Sequence, residues 1–92
     1  MIRSFADEDT RQPWLTGRSR KFGNIARVAL RRLQAIGFAV RVDDLNFPPG
    51  NRLEKLRGDR QGQYSIPIND QFRVCFRWED KDALDVEITD YH

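Results

Sequence analysis

The sequence predicts an α+β fold for a single domain, residues 1–92. An N-terminal strand and a helical hairpin are expected to pack with a small antiparallel sheet, the helices covering one face. Residues 72–78 and 83–88 alternate apolar and polar side chains, the pattern of strands that bury one face. Apolar residues recur at three- and four-residue steps from Phe22 to Ile36, which predicts an amphipathic helix. A domain of this size buries only about 60–70% of its unfolded surface, so one compact core is expected.

The first half of the chain supplies the N-terminal strand and both helices. Residues 1–5 are short and apolar at two positions, as in a strand. A helix is predicted to start within residues 7–10, because acidic residues favour the first turn and Asp or Thr side chains cap its amides. Gly17 suits a left-handed C-cap for it, and Gly37 is expected to end the second helix. The apolar stripe of that second helix consists of Phe22, Ile25, Ala26, Ala29, Leu33 and Ile36.

The second half predicts a loop followed by three consecutive antiparallel strands. Residues 47–51 contain Pro-Pro-Gly and must form a loop, after which Leu53 and Leu56 are expected core anchors. Residues 64–68 alternate around a proline that removes one ladder donor. Residues 79–82 are polar and connect the last two strands as a hairpin. Because the helices are expected to cover one sheet face, function is expected on the other.

Composition indicates the cellular compartment and argues against a membrane-spanning or a secreted protein. No apolar run is long enough for a transmembrane helix, and the N-terminus lacks the apolar segment of a signal peptide, so no membrane association is expected. The single cysteine, Cys75, cannot form an intramolecular disulfide and is typical of a reducing cytoplasm. Its position in the middle of a strand predicts a buried thiol rather than a nucleophile.

Charge is distributed unevenly along the chain, although the net charge is only +2. Residues 16–33 contain six basic and no acidic residues, whereas residues 79–92 contain six acidic residues and one lysine. The basic block consists of Arg18, Arg20, Lys21, Arg27, Arg31 and Arg32. A block of one sign indicates nucleic acid or an acidic protein as partner, and a solvated helix face explains it equally well.

The remaining polar residues show no pattern of a metal site, a phosphate-binding glycine loop or a nucleophile elbow, so no metal and no cofactor are predicted. They match the needs of metal-free RNA cleavage, which requires a base, cations around the phosphate and an acid. Glu54 is the candidate base, Arg73 and Lys55 the cations, and His92 the acid. Tyr91 could stack on an unpaired nucleobase. The alternative assigns Glu54 to a surface ion pair and leaves Tyr91 and His92 as an inert chain end.

Several short motifs occur in order along the chain and together resemble one family. They are residues 49–60 (PGNRLEKLRGDR), residues 63–66 (QYSI), residues 69–76 (NDQFRVCF) and the closing triplet Asp90-Tyr91-His92. The opening MIRSF is similar to the start of the same family. These motifs span essentially the whole chain and resemble the HigB toxins, the plasmid maintenance killer protein branch of the RelE-like toxin superfamily.

The resemblance implies a RelE-like fold and a toxin that cleaves translated mRNA in the ribosomal A site. It also implies a HigA-type helix-turn-helix antitoxin as partner, with operator DNA bound only through the toxin–antitoxin complex. Arg73 matches the strand arginine at the scissile phosphate, and Asp90, Tyr91 and His92 match the terminal triplet of the site. Glu54 occupies a position where relatives carry either glutamate or histidine. The expected RNA contacts are Arg52, Lys55, Arg57, Arg60, Arg18, Arg20 and Lys21.

Two hypotheses from different functional classes remain open at this point. The first is a ribosome-dependent endoribonuclease. The second is a non-cleaving module that binds RNA or the ribosome, blocks translation and pairs with an antitoxin. The basic block would serve either ribosomal RNA, through salt-sensitive phosphate contacts, or an acidic antitoxin.

Overall fold

The computed structural model describes residues 1–47 and 51–90, and within these ranges two helices pack on a four-stranded sheet. The elements are α1 (Glu8–Thr16), α2 (Ala26–Phe38), β1 (Glu54–Lys55), β2 (Gln63–Pro67), β3 (Phe72–Glu79) and β4 (Asp82–Asp90). Two short 3-10 helices, Val42–Asn46 and Gly58–Arg60, lie in the connections before β1 and β2. The loop predicted at residues 47–51 lies mostly outside the described residues.

The sheet has the strand order β1-β2-β3-β4, and each neighbouring pair is antiparallel. The three predicted strands are confirmed as β2, β3 and β4, with a hairpin between the last two. The sequence does not predict β1, because Glu54 and Lys55 are both charged and two residues are too few to show alternation. This short strand carries the candidate base to the edge of the sheet.

The predicted N-terminal strand is only partly formed in the structure. Residues 1–5 pair in parallel with β4 only through two isolated bridges, to Ala83 and Val86. Between those bridges Asp85 adopts a positive φ of 52°, and its backbone N–H bonds to the Ser4 hydroxyl at 2.9 Å instead of to a backbone carbonyl. The bulge in β4 therefore interrupts the ladder, and the N-terminal segment lies along β4 without forming a continuous strand.

Both ends of α1 follow the sequence prediction. Asp7 is the N-cap, and its carboxylate accepts a hydrogen bond from the backbone N–H of Thr10 at 2.8 Å. Gly17 takes the left-handed conformation at φ 73°, and its N–H bonds to the carbonyl of Pro13 at 2.9 Å. These bonds satisfy helix-end groups that have no partner within the helix. Within the described ranges, no helix is long and apolar enough to span a membrane.

The second helix differs from its prediction at both ends. It begins at Ala26, so Phe22 and Ile25 precede it, although both are buried in the core. Gly37 does not end the helix but lies inside it. A Cβ atom at position 37 would stand 2.8 Å from Cη2 of Trp14, a separation too short for two carbon atoms. Gly37 is therefore required by the close approach of α1, a contact that helix-stop rules based on sequence do not consider.

The core lies between the helix pair and one face of the sheet. Its completely buried side chains come from α2 and from three strands: Ala29, Leu33, Ile36, Ile66, Val74, Phe76, Ala83 and Val86. Leu56, an expected anchor, is also buried, and Leu53 packs partly buried against the same cluster. Tyr64 stacks on Phe76 with ring centroids 6.1 Å apart. The core therefore holds β2, β3 and β4 in a defined register beneath the helices.

Two surface carboxylates, those of Asp82 and Asp44, form hydrogen bonds that stabilise the N-terminal segment and a connecting loop. The Arg3 guanidinium donates a 2.6 Å hydrogen bond to the Asp82 carboxylate, and this bond lowers the pKa of Asp82. The Asp44 carboxylate accepts backbone N–H bonds from Arg41 and Val40, at 2.9 and 3.0 Å, and these bonds lower the pKa of Asp44. The first contact joins the N-terminus to the β3–β4 hairpin, and the second caps the first 3-10 helix.

A buried hydroxyl joins α1 to β4 and gives a test of the fold. Thr10 is completely buried, and its Oγ1 accepts a 2.9 Å hydrogen bond from the backbone N–H of Ile88. Thr10→Val keeps the shape but removes the acceptor, so we expect the free energy of unfolding to fall by about 1–3 kcal/mol. Urea denaturation measures this loss. Thr10→Ser, which retains the hydroxyl, is the control; an equally large loss for Ser and Val would show that the missing methyl packing, not the hydrogen bond, matters.

Candidate functional site

The helices cover only one of the two faces of the sheet. In β3, Val74 and Phe76 are buried beneath them, and the alternation of side chains places Arg73, Cys75 and Arg77 on the opposite face. We call this opposite surface the polar face. Arg73 and Arg77 therefore share this face, as the alternating sequence of residues 72–78 predicts.

One row of side chains crosses the polar face on all four strands. Glu54 in β1 stands opposite Ser65 in β2, which stands opposite Cys75 in β3, which stands opposite Glu87 in β4. Residues directly opposite each other in antiparallel strands lie on the same face. Ser65 and Cys75 are buried, whereas the two carboxylates flank them at either end of the row.

A pocket of about 810 Å³ opens beside this row at the β1 edge of the sheet. Its lining residues are Glu54, Lys55, Leu56, Arg57, Asp59, Arg60 and Arg73. Five of the seven are residues that the sequence analysis assigns to catalysis or RNA binding. Four of the seven are cations and two are carboxylates, so the pocket has an excess of positive charge. Its charge is suited to an anionic ligand.

Arg73 reaches this pocket from the middle of the sheet. It stands opposite Pro67 of β2 and Thr89 of β4, two residues along β3 from Cys75. Strand geometry separates it from Glu54 by about 10 Å across the sheet and about 7 Å along it at the level of the backbone. Two long side chains on one face span much of that distance. The tertiary structure therefore brings together a carboxylate and a guanidinium that are far apart in sequence.

Arg60 connects the pocket to the far side of the polar face. Its Nη1 donates hydrogen bonds to Gln63 Oε1 at 3.1 Å and to Glu87 Oε1 at 3.2 Å. Arg60 is predicted from the sequence as an RNA contact, whereas no sequence motif assigns a role to Glu87. The signal was present, because Glu87 alternates with Val86 and Ile88, which are buried in the core. What the sequence does not show is that an arginine from a distant turn would lie beside that carboxylate.

Two other arginines lie on or near the polar face but not in the pocket lining. Arg77 pairs with Asp85 of β4, its Nε standing 3.6 Å from the carboxylate. Arg52 is exposed immediately before β1 with a positive φ of 44°. Of the two strand arginines that the alternating pattern places on this face, the structure therefore brings only Arg73 into the pocket.

The C-terminal triplet is only partly described. Asp90 ends β4 opposite Phe72, and its carboxylate accepts a hydrogen bond from Gln71 Nε2 at 3.1 Å. Asp90 is absent from the pocket lining and shares its side of the sheet with Phe72, which packs against the core. Tyr91 and His92, the expected stacking residue and acid, lie outside the described residues. Their catalytic roles, and that of Asp90, stay predictions.

The basic block belongs to the helical layer, and none of it lines the pocket. Arg18, Arg20 and Lys21 lie between the two helices and are exposed, with Lys21 Nζ 3.7 Å from the carboxylate of Asp9. Arg32 has a structural contact, since its Nε donates a 2.9 Å hydrogen bond to the carbonyl of Pro67. The block is thus divided: one arginine binds the end of β2, and the others present charge to solvent.

The pocket combines two of the three kinds of group that metal-free RNA cleavage needs, a carboxylate and several cations. Guanidinium and ammonium groups stabilise negative charge on a phosphate, and a carboxylate can accept a proton from a sugar hydroxyl. Within residues 1–47 and 51–90, no three His, Cys, Asp or Glu side chains are grouped as a metal site.

Comparison with known proteins decides the family. A family model described as the RelE-like toxin HigB of type II toxin–antitoxin systems matches residues 3–92. The chain belongs to the HigB-like toxin family. It is similar to Toxin HigB-1 of Vibrio cholerae serotype O1, with 41% identity over 61 residues that cover 66% of this chain and 64% of the relative. Endoribonuclease HigB of Proteus vulgaris is 38% identical over 61 residues, covering 66% of this chain and 65% of that protein.

These HigB matches span a little under two thirds of each relative's length. Solved structures match the whole chain more distantly. YoeB in a YoeB–YefM complex from Staphylococcus aureus superimposes with a TM-score of 0.62 at 19% identity, covering 100% of this chain and 98% of that one. A second YoeB–YefM structure from the same organism, a heterotetramer, gives 0.56 at 15% identity, with the same coverage. At such identities the likeness shows the fold alone, and it confirms the predicted RelE-like architecture.

For a HigB-like toxin, the pocket is the described part of the candidate site. It holds Glu54 and Arg73 together with Lys55, Arg57 and Arg60. Beside it lies the row of Ser65, Cys75 and Glu87, for which the family resemblance alone implies no role.

Proposed function

We propose that this protein is the toxin of a type II toxin–antitoxin system and cleaves mRNA in the A site of translating ribosomes. The observation that carries the proposal is the pocket at the β1 edge, where Glu54 and Arg73 line one space with three further cations. Membership of the HigB-like family supports it, as does the similarity to a relative named Endoribonuclease HigB.

The proposed reaction needs no metal ion. Glu54 removes the proton of a ribose 2′-hydroxyl, and the 2′-oxygen attacks the adjacent phosphorus. The bond between phosphorus and the 5′-oxygen then breaks and leaves a 2′,3′-cyclic phosphate, while the departing 5′-oxygen takes a proton from an acid and becomes a 5′-hydroxyl. Arg73 and Lys55 stabilise the additional negative charge of the phosphorane. His92 is the acid in this proposal, with Tyr91 stacked on a nucleobase.

Positive charge outside the reacting groups would bind the RNA strand. Arg57 and Arg60 line the same pocket as Glu54 and would contact neighbouring phosphates. Arg52, which is exposed and precedes β1, would add a further phosphate contact to those of Arg57 and Arg60. The basic residues between the helices, Arg18, Arg20 and Lys21, would contact ribosomal RNA on another side of the toxin. Such a division of charge suits a small protein that binds the ribosome on one side and the message on the other. The reaction we propose takes place in the cytoplasm, where translating ribosomes are found.

The partner we propose is a HigA-type helix-turn-helix antitoxin. The two structural neighbours from Staphylococcus aureus are complexes of YoeB with YefM, so this fold is known to pair with a second protein. Operator DNA would be bound by the antitoxin in the complex and not by this chain alone.

Primer extension on a defined mRNA in a bacterial translation extract tests the proposal. The purified protein is added to one reaction, and a matched reaction contains the same mRNA and protein without ribosomes. We expect new 5′ ends in codon register only where ribosomes are present. Translation that stops on uncut message would support the non-cleaving module instead. Equal cleavage in both reactions would contradict ribosome dependence.

A further inference from the structure

We propose that Glu87 is a positioning residue that holds the Arg60 guanidinium over the polar face, where it binds a phosphate of the RNA strand. The inference rests on the proposed function and adds one residue to it. Its starting point is the hydrogen bond of 3.2 Å between Arg60 Nη1 and Glu87 Oε1, two side chains that are each 31% exposed. Neither sequence motif nor family resemblance assigns Glu87 a role.

The first reason for this assignment is the position of the contact between Arg60 and Glu87 in the fold. Arg60 belongs to the 3-10 helix Gly58–Arg60, in the connection between β1 and β2, whereas Glu87 belongs to β4. With the strand order β1-β2-β3-β4, Glu87 lies on the strand farthest from the β1–β2 connection, so the contact joins the two ends of the sheet. The same nitrogen, Nη1, also donates to Gln63 at the start of β2. The guanidinium is therefore held from two strands at once.

The residues in the row between Glu54 and Glu87 leave room for the contact between Arg60 and Glu87. Ser65 and Cys75 lie in the row between Glu54 and Glu87, and both have small side chains. Their exposures are 1% and 0%, so both side chains are buried in this part of the polar face. Because they are small, they leave space above the row in which Arg60 and Glu87 can meet.

The donors of Arg60 are divided between the protein and a possible ligand. Arginine has five N–H groups, and the two on Nη1 meet the two acceptors Gln63 and Glu87. Those bonds use neither Nη2 nor Nε, which together carry the other three N–H groups. Because Arg60 also lines the pocket, this part of the guanidinium is available to a phosphate oxygen there. The charge-assisted bond to Glu87 orients the guanidinium and reduces the rotamer freedom that binding would otherwise remove.

Because Glu87 is negatively charged, the two possible roles of this residue predict opposite changes in the cleavage rate when it is removed. A carboxylate near an RNA strand repels phosphates, so if Glu87 only contributes charge, its removal should strengthen RNA binding and leave cleavage equal or faster. If Glu87 positions Arg60, its removal should slow cleavage even though the face becomes more positive. Small misplacements of binding groups lower the rates of enzymatic reactions strongly.

The experiment measures single-turnover cleavage of ribosome-bound mRNA by the full chain. We expect Glu87→Gln to lower the maximal rate about 10-fold while the apparent affinity for the programmed ribosome stays equal or rises. Asp85→Asn is the matched control, because it also neutralises a carboxylate of β4 paired with an arginine, but that arginine, Arg77, does not line the pocket. Asparagine also tolerates the positive φ at position 85. The control should cleave within twofold of the wild type.

A double-mutant cycle separates positioning from general stability. In an Arg60→Ala background, Glu87→Gln should cause no further loss of rate, since the side chain it positions is absent. Urea denaturation checks that each variant is folded under the assay conditions. A second loss of about 10-fold in that background, or an unchanged or faster rate for Glu87→Gln alone, would overturn the proposal.

A spectroscopic measurement distinguishes failure of this inference from failure of the proposed function. The ¹H–¹⁵N signal of the Arg60 Nη1 protons, identified by its loss in Arg60→Ala, should be resolved in the wild type and broadened by guanidinium rotation and solvent exchange in Glu87→Gln. If that change occurs but wild-type protein leaves ribosome-bound mRNA intact, the contact exists and the nuclease function is wrong. If the wild type cleaves but the signal is identical in both proteins, Glu87 does not hold Arg60.

Discussion

Replacing Arg73 with alanine is expected to reduce ribosome-dependent cleavage of mRNA by about 100- to 1,000-fold, the loss typical of removing one preorganised donor to a developing negative charge. Arg73 lies in the middle of the sheet on the polar face and lines the pocket with Glu54. Its guanidinium is placed by β3, which is paired on both sides and therefore rigid. The measurement is the single-turnover rate on a programmed ribosome.

Arg77→Ala is the matched control for Arg73→Ala. It removes the same side chain from the same strand and the same face, but Arg77 pairs with Asp85 and does not line the pocket. We expect Arg73→Lys to retain only part of the activity, because an ammonium group lacks the planar pair of donors that matches a phosphate. Equal activities for Arg73→Ala and wild type would exclude Arg73 from the reaction. Equal losses for the two alanine variants would indicate a general electrostatic effect of the face.

Replacing Glu54 with glutamine is expected to reduce the cleavage rate by about 100- to 10,000-fold, because an amide cannot accept the proton of the 2′-hydroxyl. Ribosome binding should be equal or tighter, since the substitution removes a negative charge beside the RNA. A fall in rate with unchanged affinity distinguishes a base from a residue that only supports binding.

Glu54→His tests the same role by replacing one base with another. The resemblance to HigB toxins implies that this position carries either glutamate or histidine, so the histidine variant should cleave far better than the glutamine variant. If glutamine, histidine and wild type all cleave at similar rates, Glu54 is a surface ion-pair residue, as the alternative holds. The base would then have to be sought elsewhere on the polar face.

Sequence reasoning succeeded for elements whose signals are local. The start of α1 within residues 7–10 and its C-cap at Gly17 depend on residues within one helix, and the structure confirms both, with Asp7 as the N-cap. The alternation of β3 likewise follows from neighbouring residues and assigns Arg73 to the polar face. Gly37 shows the limit, because its small size serves a contact with Trp14 in another helix.

In the candidate site too, the sequence identifies single residues, whereas only the structure shows which of them lie together. Each pocket residue except Leu56 and Asp59 was identified from its chemistry and its motif, but no sequence pattern indicates that β1 exists or that it pairs with β2. Without that pairing, Glu54 and Arg73 have no defined separation. Glu87 was overlooked because its partner, Arg60, comes from a turn before β2 and lies near it only after the sheet has formed.

The sequence by itself determined the fold class, the ends of α1, the face on which Arg73 lies and the family to which the chain belongs. These properties depend on periodicity, capping and motifs, each of which involves residues close together in the chain. Only the tertiary structure decided which charged side chains meet: Glu54 with Arg73 in one pocket, Arg60 with Glu87 across it, and Arg77 outside it. Such meetings depend on strand register and on the course of loops, which arise when distant segments bury their apolar faces in a common core.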